Sequence, residues 1–222
     1  MIPKIIVITG VDGSGKTTQA TLLFKSLKQQ GLSVGFVQQF SPNRITKIIL
    51  KRAGSRLKKA ERSVSKQSYF NKNNSKSSIF KSFLRFSAIT FTLYSGWIRT
   101  WSKFLLHMSS EVIISDRYFY DDLIKANWLY GANINNNLLF NLVPKPSIIF
   151  YLDIPAELAW TREMDGDTTL EQHIKKKEFY GNWLRSMDSC KIYKVNTEKD
   201  IYETNKEMQE FTTKYLIDRR GY

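Results

Sequence analysis

An α/β fold built on a doubly wound parallel sheet is the class predicted for this chain, and three observations predict it. Short β-branched apolar runs alternate with longer segments of helical spacing. Those runs are continuously apolar, the pattern of strands covered on both faces. Every polar motif of chemical interest falls just after a run, at the carboxyl edge where such sheets collect ligands. Five runs imply five parallel strands, with right-handed crossovers that place helices on both faces.

The elements follow in order. "KIIVITG" reads as the first strand, and "KTTQATLLFKSLKQQG" as a helix with Ala20, Leu23 and Leu27 on one face and Gly31 at its stop. "SVGFVQQF" is the second strand. A long aromatic-rich helical stretch covers about 78–108, with a break expected near Gly96. "EVIISDRY" is the third strand, and two helical pieces carry the chain to Pro144. "PSIIFYLDIP" is a fourth strand bounded by prolines, followed by helices over 156–164 and 169–187. "CKIYKVN" is the fifth strand, and 199–218 is a closing amphipathic helix. With 222 residues and no internal repeat, one domain over 1–222 is expected.

Composition narrows the class of protein. Cys190 is the single cysteine and cannot form an intramolecular disulfide, so nothing points to an oxidising compartment. The apolar run in "MIPKIIVITG" is too short for a signal peptide, and no stretch reaches the roughly 18 apolar residues of a membrane span. The expected location is the cytoplasm. The net charge of +14 is concentrated in residues 51–85, where eleven Lys and Arg residues face Glu61 alone. The middle of that insertion, "SVSKQSYFNKNNSKSS", is poor in large aliphatic residues and reads as a solvated excursion, helical toward its ends. Three readings of it stand: an insertion with no partner, a surface for an anionic polymer or membrane, or a flap over the active site. The uncharged "FSAITFTLYSGWI" beside it suits a buried helix.

Chemistry enters with "GVDGSGKTT". Gly10, four residues, then Gly15-Lys16-Thr17 is the pattern of a phosphate-binding loop, or P-loop. Gly10, Gly13 and Gly15 let backbone N–H groups turn inward around a phosphate, Ser14 and Thr18 flank them, and the following helix adds its positive end. Lys16 is placed to reach terminal phosphates and the Thr17 hydroxyl to ligate Mg2+. In "VIISDRY", Asp116 sits where a carboxylate can hold a Mg2+ water, and Arg117 where a guanidinium can grip a phosphoryl group from two sides.

"GVDGSGKTT", "DRY" and "PKPSIIFYLDIPAELAWTRE" together resemble the thymidylate kinase family of P-loop nucleotide kinases. The resemblance covers most of the chain outside 51–85. It implies a P-loop NTPase fold and ATP-dependent phosphoryl transfer, with ATP and Mg2+ as cofactors and a nucleotide or other small molecule as acceptor. It also implies a homodimer. By position, Asp12 matches the acid that touches the acceptor's sugar, Arg117 the arginine near the transferring phosphates, and Arg162 the arginine packed on the donor adenine. Residues 163–177 match the lid, and Phe91 stands in the place of the phenylalanine that stacks on thymine. Phe40, Arg99 and Tyr118 complete the candidate acceptor contacts.

The acceptor half departs from the family. "FYDDLIKANWLYG" replaces the small residues and glutamine expected after "DRY". Ser95 and Gly96 stand where an arginine is expected, with Arg99 a turn later. The second strand ends without its arginine, leaving Gln39 or Arg44 to substitute. The lid lacks arginine, so Lys175, Lys176, Lys177 or Arg185 must supply its positive charge. Asp121 and Asp122 admit two readings. Either they cap the next helix, where negative charge is stabilising by about 0.3–1 kcal/mol, or Asp121 acts as the base of a kinase whose acceptor is a sugar or nucleoside hydroxyl. A third class of function remains beside these: a nucleotide-dependent protein that binds a polyanion or membrane through 51–85.

Overall fold

The computed structural model describes residues 2–39, 76–130, 141–163, 169–185 and 190–218. Its strands are β1 (Lys4–Thr9), β2 (Val34–Gln38), β3 (Val112–Asp116), β4 (Ile148–Asp153) and β5 (Lys191–Asn196). Its helices are α1 (Lys16–Gln29), α2 (Lys76–Leu106), α3 (Phe119–Tyr130), α4 (Ala156–Arg162), α5 (Leu170–Arg185) and α6 (Ile201–Asp218). All the pairings are parallel, in the order β2-β3-β1-β4-β5. Connections leaving β1 and β4 therefore run in opposite directions along the sheet, which opens a crevice at its carboxyl edge. Register brings Ile8, Asp116 and Gln38 into one row at that edge.

The apolar runs are continuous because both faces are covered. Ile6, Ile8, Ile114 and Phe150 pack against Leu23 and Leu27 of α1 and Met208 of α6. Their neighbours Ile5, Val7, Ile113 and Ile149 face Leu93 and Phe104 of α2 and Phe119 and Leu123 of α3.

The expected break at Gly96 does not occur: α2 runs unbroken for 31 residues, about 46 Å at 1.5 Å per residue. A Cβ at Gly96 would lie 2.5 Å from Asp122 Oδ2 of α3, so the glycine lets two helices approach closely and does not end one. Of the basic insertion, 51–75 lies outside the described residues, while 76–85 forms the first turns of α2. Among the described residues, no helix is long and apolar enough to cross a membrane.

Leu23 is fully buried between α1, the sheet and α6. Leu23→Ala is expected to lower unfolding free energy by about 2–5 kcal/mol, measured by urea denaturation with an unchanged m-value.

Candidate active site

The loop between β1 and α1 is shaped by two left-handed glycines, Gly13 at φ +79 and Gly15 at φ +86. At Gly13 space also excludes any other residue, since a Cβ would stand 2.0 Å from the Ala159 carbonyl oxygen. The loop thus rests backbone to backbone on α4. Gly15 caps α1 without a side-chain hydrogen bond, which leaves the first N–H groups of the helix for an anion. The buried Ser14 hydroxyl has no hydrogen-bond partner among the described residues.

Thr17 and Asp116, 99 residues apart, meet here. The Thr17 hydroxyl donates to Asp116 Oδ2 at 2.7 Å. Asp116 is buried, and its Oδ1 has no partner among the described residues. A buried carboxylate oxygen without a donor is costly. Beside the hydroxyl that closes the loop, it fits the water shell of a hard divalent cation such as Mg2+.

Asp12 is the hub of the site's charge. Its Oδ1 accepts from Arg117 Nη2, its Oδ2 accepts from Lys176 Nζ of α5, and Lys16 Nζ lies 3.7 Å away. Burial works against a charged Asp12, but Arg117, Lys16 and Lys176 outweigh it and hold the carboxyl well below the usual range. Burial also opposes the Arg117 charge, and there Asp12, with Tyr180 and Asp121 behind it, raises the guanidinium above its ordinary value. Lys16 is driven the other way. Burial, then Arg117, depress its ammonium to about 7 against the pull of Asp12, while its Nζ donates to the Val11 carbonyl at 2.5 Å.

Arg117 is held in a left-handed conformation at φ +68, unusual for a residue with a Cβ. Its neighbours fix it there. The Arg117 N–H donates to Ile8 O at 2.9 Å, the Ser115 hydroxyl donates to Arg117 O at 2.5 Å, and the Tyr118 N–H donates to Asp121 Oδ2 at 2.8 Å.

Among the lid lysines, the structure selects one. Lys175 forms an exposed pair with Glu171 at 2.6 Å. Lys177 bonds the Ile154 carbonyl at 2.6 Å and pairs with Asp153 at 3.1 Å. Lys176 alone of the three is seen on Asp12. Residues 164–168 of the expected lid lie outside the described residues, and 170–177 are the first turns of α5. The signal in sequence was helical phase: Lys176 lies one turn before Tyr180, whose ring is buried against β4.

The acceptor candidates scatter. Phe91 is 46% exposed on α2, and Phe40 and Arg44 lie outside the described residues. Arg162 is exposed at the end of α4 and donates to Thr197 O at 3.2 Å. Tyr118 is a core residue, packed edge-on against Tyr120 with its hydroxyl on Pro144 O at 2.5 Å. Gln39 does not replace the missing strand arginine, because its amide is buried and donates to Thr100 Oγ1 at 2.6 Å. Two cations of α2 stand at that strand end: Arg99 donates to Gln39 O at 3.2 Å, and Lys103 donates to Gln38 O. Burial, then Arg99, lower Lys103 to about 8, with Asp122 opposing them. Asp121 is buried and accepts from three donors, two on Oδ1 and one on Oδ2, which agrees with a helix-start role.

A phosphate loop entering a helix, a Thr–Asp pair at its close and a cluster of basic side chains beside them fit an ATP-dependent phosphotransferase of the P-loop class. No family model matches the chain. It is 25% identical over 202 residues to a probable thymidylate kinase of Methanothermobacter thermautotrophicus, covering 88% of this chain and 87% of the relative. It is 25% identical over 219 residues to the thymidylate kinase of Plasmodium falciparum, covering 97% and 92%. A probable thymidylate kinase of Pyrococcus horikoshii is 30% identical over 155 residues, 68% of this chain and 65% of the relative. The chain is thus similar along most of its length to thymidylate kinases. Two solved structures share the fold. A deoxyadenosine kinase from M. mycoides, with products dCMP and a flexible dCDP bound, has a TM-score of 0.60 at 15% identity over 95% of this chain and 99% of that one. Thymidylate kinase from Ehrlichia chaffeensis has a TM-score of 0.57 at 14% identity, covering 96% and 100%.

Between its folded value of about 7 and its ordinary 10.5, Lys16 is protonated in the unfolded chain and largely deprotonated in the folded one. The unfolded state binds the extra proton, so this group makes stability rise with pH across that window. Without nucleotide, the urea midpoint should gain more between about pH 7 and about pH 9 in the wild type than in Lys16→Met. Equal gains would contradict the assignment.

Proposed function

We propose that the protein transfers the terminal phosphoryl group of MgATP to a nucleoside monophosphate, with thymidylate the first acceptor to test. The observation that carries this reading is the convergence of Lys16, Arg117 and Lys176, from three separate elements, on the single carboxylate of Asp12. Basic side chains gathered on one carboxylate beside a phosphate loop are groups that a polyphosphate can engage in its place. Support for thymidylate comes from the curated relatives, which carry the name thymidylate kinase.

Bound MgATP supplies the phosphoryl group and a metal that neutralises its oxygens. Loop N–H groups and Lys16 hold the donor phosphates. Thr17 and Asp116 orient the metal's coordination shell, and Arg162 offers a guanidinium face for adenine. Arg117 and Lys176 leave Asp12 for the oxygens of the group in transit, whose charge they stabilise by position and not by covalent chemistry. Asp12 is then open to a sugar hydroxyl of the acceptor. Phe91 presents an aromatic face for the base, Phe40 lies just beyond β2, and Arg99 with Lys103 supplies charge for the acceptor phosphate at that strand end. The exposed apolar positions Tyr94, Ile98 and Leu105 along α2 suit a homodimer contact.

A monophosphate acceptor is already an anion and needs little base catalysis. A hydroxyl acceptor, the requirement of a nucleoside kinase, is served by a base with an accessible lone pair. Asp121 is 3% exposed and accepts from three donors, which favours the monophosphate.

Steady-state ATP consumption with Mg2+ should be strong with a nucleoside monophosphate and weak with nucleosides or sugars; turnover with nucleosides alone would overturn the reading. Arg117→Ala and Lys176→Ala should each lower kcat by roughly 10²–10³-fold. Lys175→Ala, which removes an exposed pair with Glu171, should stay close to the wild-type rate.

A further inference from the structure

We propose that Asp121 and Tyr180 are positioning residues that together set the spacing between the phosphate loop, Arg117 and Lys176. This inference rests on the phosphoryl-transfer reading above.

One buried carboxylate ties three separate elements. Asp121 Oδ1 accepts from the Thr9 hydroxyl at 2.8 Å and from the Tyr180 hydroxyl at 2.5 Å, and Oδ2 accepts from the Tyr118 N–H at 2.8 Å. Each donor adjoins a working group. Thr9 ends β1 and immediately precedes Gly10. Tyr118 follows Arg117, and Tyr180 stands one helical turn after Lys176 on α5. Side chains four apart share a helix face, so the hydroxyl that reaches Asp121 and the ammonium that reaches Asp12 leave α5 on the same side.

A helix cap accounts for only one of these bonds. An acid at the third helical position commonly reaches back to the capping residue's N–H, and Tyr118 is that residue here. The other two bonds come from 112 and 59 residues away in sequence. Thr9, Asp121 and Tyr180 are 1%, 3% and 1% exposed, so no water replaces a lost partner at low cost. Burial and the Asp121 charge push the Tyr180 phenol well above its ordinary value, which keeps it protonated as a donor. Removing the phenol oxygen takes away the hydrogen bond that α5 makes to Asp121, one turn from Lys176, while leaving the bonds from Thr9 and the Tyr118 N–H in place.

The test compares wild type, Tyr180→Phe, Asp121→Asn and the double variant in steady-state turnover with MgATP and the best acceptor. Each single variant is expected to lower kcat by roughly ten- to a hundredfold with little change in KM for either substrate, the signature of misplaced groups in the transition state. The double variant should be no slower than the slower single, since both break one unit. Wild-type turnover in Tyr180→Phe overturns the proposal, as does loss confined to Asp121→Asn, which is the behaviour of a base. Amide hydrogen exchange of the nucleotide-free proteins decides the matter without activity. Faster exchange in Tyr180→Phe at residues 117–119 as well as in α5 supports coupling, and faster exchange confined to α5 overturns it. If the wild type turned over no monophosphate, the functional reading would fail, while exchange would still report on the couple.

Discussion

Holding like charges together in a space built for phosphates is the constraint on which the rest of the structure depends. Lys16, Arg117 and Lys176 repel one another, and two of the three are removed from much of their hydration. Asp12 makes the arrangement tolerable, and the geometry of four elements makes Asp12 available. β1 and its loop supply the carboxylate, α1 supplies Lys16, the β3–α3 turn supplies Arg117 and α5 supplies Lys176. The parallel register matters because it sets the ends of β1 and β3 level, so that residues more than a hundred positions apart address the same few ångströms. Burial, and then Arg117, depress Lys16 in spite of Asp12.

The chain also accepts local strain to keep this arrangement. A non-glycine residue in the left-handed region costs on the order of 1–3 kcal/mol and persists where its surroundings over-determine it. Arg117 has such surroundings: backbone bonds to Ile8, a hydroxyl from Ser115, and the Asp121 carboxylate under the next residue. The turn that carries Arg117 is therefore fixed by its neighbours. The end of β2 is different, since the cations beside it, Arg99 and Lys103, are side chains carried on α2.

Much of this was legible in the sequence, for reasons tied to local chemistry. Short continuous β-branched runs suit buried strands, glycines at fixed spacing before Lys16 and Thr17 suit a phosphate loop, and an acid ending an apolar strand falls at the same sheet edge as that loop. Features set by distant contacts were not legible. Gly96 looks the same in sequence whether it breaks a helix or admits a neighbour, and only Asp122 against it tells which. Three consecutive lysines conceal Lys176 until the phase of α5 is known. The paired acids after "DRY" read equally as caps or as a base, because the Thr9 and Tyr180 donors come from far along the chain. Gln39 offers an amide at the end of β2 in the sequence, and only the fold shows that amide committed to Thr100.

The contact between Gly13 and α4 has a consequence for how such a protein can change over time. Where a loop lies on a neighbouring helix with no room for a methyl group, drift at that position is closed unless α4 moves as well. The glycine-rich loop is thus held by main-chain contact, a barrier that single substitutions do not cross. The face of α2 beside the end of β2 is made of exchangeable side chains, and it can be rewritten residue by residue while that loop stays intact. An ancestral chemistry can in this way be kept and its clientele replaced.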